Sequence, residues 1–145
     1  GPIGYTAAIL YALINSLNKL LLFLASGLRG WLVGAAFVIG AFSVAGVPPS
    51  IGFFGKLALF RAGLEADSIL LIALIFLGSA LSFVYMFQIY QHDFWEIDRS
   101  PVASRLPSRL LVLGVAAAVL GLGIWPEPLL AGIDQAAVIL TARLP

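Results

Sequence analysis

Two lysines stand inside apolar stretches of this chain, Lys19 in Leu17-Asn18-Lys19-Leu20-Leu21 and Lys56 in Phe53-Phe54-Gly55-Lys56-Leu57. An amine can hold a proton and release it. Apolar surroundings disfavour the charged form and bring a lysine into the range where it shuttles protons near neutral pH. Lys19 has Asn15 and Asn18 beside it, whose amides hydrogen-bond an amine, an ammonium or a chain of water. Lys56 follows Pro48-Pro49-Ser50-Ile51-Gly52-Phe53-Phe54-Gly55. There two prolines remove backbone donors and push Val47 out of the α region, so Pro48, Pro49, Gly52 and Gly55 mark a helix break. Each lysine also has a plainer reading, in which a long stem snorkels to the headgroups at little cost. At a break near mid-membrane, Lys56 would sit beside unpaired backbone groups that hold water, as in the ion sites of transporters.

Other chemistries are excluded by the inventory. The chain has no Cys, one His and one Met, which removes disulfides, thiolate catalysis, Cys-ligated metals and bis-histidine haem. No metal and no cofactor are expected. A net charge of +1 without a basic run gives nucleic acid no footing. No nucleophile is set near a His, so no catalytic chemistry of its own is expected. His92, next to Asp93 and Trp95, reads as an interfacial loop residue. Glu65, Asp67, Glu96 and Asp98 read as solvated loop charges, and Ser79 and Ser82 as packing and back-bonding residues.

The elements that must position the lysines are helices in lipid. Residues are 61% hydrophobic and 10% charged, against about 25% charged in a soluble domain. The chain therefore reads as an all-α integral membrane protein of four to five transmembrane helices, forming one domain over residues 1–145. Ile3 to Ala25 spans, with Tyr11, Asn15, Asn18, Lys19 and Ser26 as a polar stripe that calls for protein or water rather than lipid. Trp31 to Val47 is short, with Gly30/Gly34 and Ala36/Gly40 at small-xxx-small spacing. Ile51 to Gly63 is shorter still. Ser68 to Tyr90 spans, with Gly78, Ser79 and Ser82 as a packing face, and Tyr85, Tyr90, Phe94 and Trp95 form an aromatic belt. Leu110 to Trp125 offers Gly114/Ala118 and Ala117/Gly121 for packing, and Leu129 to Ala142 reads as an amphipathic surface helix. The chain begins at Gly1 rather than Met, consistent with a protease scar or a piece of something longer. No charged n-region precedes the first run, so that run does not read as a signal peptide.

The second and third segments are either a hairpin or two halves of one broken span. As a hairpin they set Arg99, Arg105 and Arg109 against Arg29, Arg61 and Arg143, a tie. As one broken span they move Arg29 to the first group, so the positive-inside rule favours the break with the Arg99–Arg109 loop cytoplasmic.

At the two lysines the sequence resembles a known family. Asn15-Ser16-Leu17-Asn18-Lys19-Leu20-Leu21-Leu22-Phe23-Leu24-Ala25-Ser26-Gly27 resembles a His-Ala-Leu-Phe-Lys-Ala-Leu-Leu-Phe-Leu-Ala-Ala-Gly helix of the antiporter-like subunits. These include the proton-pumping membrane subunits of respiratory complex I and membrane-bound hydrogenases, and the D-type subunits of Mrp-type Na+/H+ antiporters. Ala45-Gly46-Val47-Pro48-Pro49-Ser50-Ile51-Gly52-Phe53-Phe54-Gly55-Lys56 is similar to the family's second hallmark, a broken helix whose Lys or Glu is a terminal proton carrier. Phe94-Trp95 and Gly123-Ile124-Trp125-Pro126-Glu127-Pro128 resemble its C-terminal pattern, closest to the Mrp type. The match covers the C-terminal third of a family member. Asn15 stands where the family usually has His, Asn18 where it has an aromatic, and the linker is cut to about Gly27–Gly30.

The resemblance implies a proton-conducting element, the exit half of a channel through Lys56, Lys19, Asn15 and Asn18. It would work with other membrane subunits, including an antiporter N-terminal half, in a bacterial-type inner membrane. The alternative is a structural accessory subunit, an antiporter-derived remnant without proton transport, which the Asn15 replacement and the missing half favour.

Overall fold

The computed structural model describes residues 2–95 and 106–142. Glu96, Asp98, Arg99, Arg105 and Arg143 lie outside them. Among the described residues six helices follow in order: α1 (Pro2–Ser26), α2 (Trp31–Ala45), α3 (Ile51–Glu65), α4 (Ile69–Tyr90), α5 (Leu106–Ile124) and α6 (Glu127–Thr141). A π-helical turn, Gln91–Trp95, extends α4. Among the described residues there is no strand.

Among the described residues three helices, over Ile3–Ser26, Ile69–Trp95 and Leu106–Ile124, are long and apolar enough to cross a membrane. The fourth crossing is divided. α2 and α3 have 15 residues each, about 22 Å at a rise of 1.5 Å, which is short of a ~30 Å hydrocarbon core. Placed end to end they suffice, and their neighbours show that they are end to end. Along α4, Ile72 lies beside Gly63, Phe76 meets Phe60, Ser79 reaches Lys56, Phe83 stacks on Phe42 and Tyr90 stacks on Phe37. Along α1, Ile14 and Tyr11 face Gly55 while Leu21 and Leu22 face Gly40. One unbroken helix meeting α3 and then α2 in strict order excludes the hairpin. The broken span is the fold.

Local chemistry explains where the halves stop. Gly46 takes φ 82°, the left-handed conformation that costs an L side chain about 1–2 kcal/mol. Its N–H donates to Ser43 O at 3.1 Å and that of Val47 to Phe42 O at 2.9 Å, the Schellman pattern that closes a helix. Gly46→Ala combines the left-handed penalty with a β-carbon 2.5 Å from Lys56 Cδ. It is expected to cost about 2 kcal/mol, read as a lowered midpoint in detergent-solubilised thermal unfolding.

The core is a single apolar cluster centred on Phe37, Leu10, Leu21, Ile51, Val112 and Val119. Several sequence expectations shift here. Helix α5 is described over Leu106–Ile124 and includes Pro107. Its buried face is Val112, Ala116, Val119 and Gly123. The small residues expected to pack, Gly114 with Ala118 and Ala117 with Gly121, are exposed instead. The aromatic belt divides too. Half-buried Tyr90 stacks on Phe37 at a centroid distance of 6.3 Å and half-buried Phe94 lies tilted against it at 5.4 Å, whereas Tyr85 and Trp95 are exposed. Helix α6 buries Ile133 and Ala137 and leaves Asp134 and Gln135 outside, an amphipathic pattern.

Candidate functional site

A helix that stops inside an apolar bundle leaves its last carbonyls and the next helix's first N–H groups without partners. Each unpaired group removed from water costs about 1–3 kcal/mol, so the break needs side chains that answer it. Three do. Buried Ser43 accepts from Gly52 N at 3.1 Å through Oγ, which caps the start of α3. Buried Ser50 donates from Oγ to Val47 O at 2.6 Å and holds the Pro48–Pro49 turn. Lys56 donates from Nζ to Ala45 O at 2.9 Å, closing the end of α2.

Lys56 is thereby tied to the break it follows. Its ammonium also donates to Ser79 Oγ on α4, and the Ser79 hydroxyl donates onward to Ile75 O at 2.6 Å. A lysine at mid-span costs about 3 kcal/mol by insertion scales. Hydrogen bonds to a charged group contribute about 1.5–3 kcal/mol each. The carbonyl end of a helix adds a partial negative charge. Two such bonds are enough to hold the cation there.

The close approaches depend on glycine. A β-carbon on Gly52 would run into the carbonyl of Ser43, and one on Gly123 of α5 into the carbonyl of Pro49. A β-carbon on Gly55 would stand 3.0 Å from Ile14 Cδ1 of α1. The four expected break residues, Pro48, Pro49, Gly52 and Gly55, thus fall together. Gly123 and Ser43 belong with them, although the sequence did not place either at the break. Gly123 lies some seventy positions away in the chain, so only tertiary contact reveals it. Ser79 read as a back-bonding residue, and it is one, but it meets Lys56 as well.

The polar stripe of α1 is divided between inside and outside. Asn18 is buried, at 2% exposure, and among the described residues no donor reaches its Oδ1. It lies on α1 between Ile14, which faces Gly55, and Leu21, which faces Gly40, and so at the level of the break. Asn15 is half-buried, while Tyr11, Lys19 and Ser26 are exposed. Lys19 turns away from this chain's own bundle and is not brought to Lys56. Away from the break, Arg29 donates to Asp93 O at 3.1 Å, and Arg109 to Arg29 O at 3.3 Å. These two bonds tie the ends of α1, α4 and α5 together. Among the described residues, no group of His, Asp and Glu could hold a metal.

The fold and this site define a class: a polytopic helical membrane subunit whose broken span seats a lysine on the carbonyl end of its own first half. Residues 29–82 match the family described as NADH:quinone oxidoreductase/Mrp antiporter, TM. The chain belongs to this antiporter-like membrane subunit family. It is 31% identical to NADH-quinone oxidoreductase subunit N of Thiobacillus denitrificans, over 92% of this chain and 32% of that protein. It is 40% identical to subunit N of Cereibacter sphaeroides, over 77% of this chain and 26% of that one. Its fold is similar to a chain in the structure of the Mrp complex from a Dietzia species, with TM-score 0.82 and 26% identity, covering 94% of this chain and 38% of that one. The chain spans about a quarter to a third of the length of these curated relatives.

Proposed function

We propose that the chain is the exit half of a proton path in an antiporter-like membrane complex, with Lys56 as the group that exchanges protons. One observation carries this reading: the Lys56 ammonium rests on Ala45 O at the break, a mid-span position that a purely structural residue could fill without charge. Asn18, whose amide oxygen no donor among the described residues reaches, offers at the same level an acceptor to water or to a neighbouring subunit. Lys19 is exposed and Asn15 half-buried, and a partner subunit supplying the antiporter N-terminal half would complete the path along the membrane plane. The chain acts as one membrane unit in a bacterial-type inner membrane, with the Arg99–Arg109 loop cytoplasmic by the positive-inside rule.

The test is composition followed by flux. Purified in mild detergent, the chain is expected to bring with it a polypeptide similar to an antiporter N-terminal half. In liposomes, Lys56→Met in that complex should stop proton movement while assembly persists. A second reading, a structural accessory subunit, is favoured by Asn15 in place of the usual titratable His. It requires that Lys56→Met and Lys19→Met both leave the complex fully active, a result that would remove the conducting role.

A further inference from the structure

Two cavities meet at the seam between α3 and α4, and the Lys56 ammonium lies where they meet. One, of about 370 Å³, is bounded by Phe53, Leu57, Phe60 and Phe76, with Phe60 and Phe76 edge to face at 5.8 Å. The other, of about 270 Å³, lies between α1, α3 and α4 and is lined by Tyr11, Ser79 and Ser82 together with Leu59 and Leu74. Lys56 and Ser79 belong to both walls. Among the described residues, no other charged group lines either cavity, and Tyr11 is the one further titratable neighbour.

We propose that Ser79 is the positioning residue for Lys56 and that the ammonium exchanges its proton through the α1–α3–α4 cavity, while the phenylalanine-walled one keeps the opposite side dry. This rests on the conducting role proposed above. The hydrogen bonds assign the parts. The proton of Ser79 is committed to Ile75 O, so toward Lys56 its oxygen presents only lone pairs. Ser79 therefore holds the nitrogen in place without carrying the proton itself. Transfer takes place between Lys56 and water: one N–H bond of the ammonium breaks and one O–H bond forms on a water in the cavity. The neutral amine left behind regains a proton from a protonated donor of the partner half: that donor's bond to hydrogen breaks as the N–H bond forms, which completes the cycle. Water is stable where it finds two or more polar partners and room, and the α1–α3–α4 cavity offers both. Ser82, whose hydroxyl donates to Gly78 O at 2.6 Å, borders the same space one turn along α4.

The chain has no cysteine, so an introduced thiol is the only one its band can report. In the assembled complex, Ser82→Cys is expected to react with a charged, membrane-impermeant thiosulfonate, and Phe76→Cys to stay unmodified. Ser79→Ala should lower proton flux about tenfold, the scale of one lost hydrogen bond to a charged group. Ser79→Thr, which keeps the oxygen and its back-bond, should restore most of that flux. Wild-type flux in Ser79→Ala, an inert Ser82→Cys, or equal labelling of Phe76→Cys would overturn the proposal. Lys56→Ala, run in parallel, separates the failures. Flux that survives it removes the conducting role itself. Flux that vanishes with Lys56→Ala but is untouched by Ser79→Ala removes only this assignment.

Discussion

Lys56→Arg is expected to stop proton flux as completely as Lys56→Ala, at least about a hundredfold, the lower range of general acid–base effects. Yet it should leave the complex assembled. Arginine retains a positive charge and several N–H donors, so it can still bond Ala45 O and Ser79 Oγ, the two contacts that Lys56 makes. What it cannot do is release its proton, since a guanidinium stays charged throughout the accessible pH range. A residue that only plugs the break or balances the dipole of α2 would be replaced by Arg with modest loss. A residue that gives up and regains a proton would not. The measurement is dye-reported proton entry into liposomes holding the assembled complex, with assembly checked by co-purification. Flux near wild type in Lys56→Arg would show that the lysine is a fixed charge. Lys56→Ala controls for the charge itself, because it also leaves Ala45 O unpaired and should lower thermal stability where Lys56→Arg does not.

Much of the architecture was legible because lipid imposes simple rules. Lengths and apolar runs located α1, α4 and α5, and the prolines with their flanking glycines located the break. Counting arginines chose the broken span by a single residue, Arg29, and the ordered contacts along α4 made the same choice independently. What the sequence could not carry was direction. Asn15, Asn18 and Lys19 share a stripe by helical spacing, yet adjacent positions on a helix point about 100° apart. One residue's rotation therefore puts Asn18 inside and Lys19 outside. Periodicity shows that a polar face exists and not which neighbour it meets. The same limit applies to Ser79. A serine in a membrane helix usually bonds its own backbone, and nothing near it in sequence announces a lysine arriving from another helix. The small residues of α5 misled for a related reason. Gly114, Ala118 and Gly121 have the spacing of a packing face, but Val112, Ala116 and Val119 turn inward instead.

Gly52→Ala and Gly123→Ala are expected to be the most damaging single-methyl changes in the chain. Each glycine admits a backbone carbonyl where a β-carbon would stand, that of Ser43 at Gly52 and that of Pro49 at Gly123. Backbone cannot turn aside as a side-chain tip can. The two contacts clamp opposite sides of one short turn, so relieving either means moving an end of α2 or α3. Overpacking of a well-filled site costs about 1–3 kcal/mol and more where only backbone can yield; here about 3 kcal/mol is expected. Gly52→Ala has a further consequence, because any shift of its N–H away from Ser43 Oγ leaves a buried donor unpaired. The control is Gly114→Ala in α5, where nothing lies within 4 Å of the new carbon. That change should be neutral or gain a few tenths of a kcal/mol from helix propensity. Thermal unfolding of the detergent-purified complex ranks the three variants, and equal midpoints for Gly52→Ala and Gly114→Ala would refute the tight turn. Because the clamp also sets where Ala45 O presents itself to Lys56, a partly stable Gly123→Ala complex should conduct more slowly in proportion to the molecules still assembled and more slowly again per molecule.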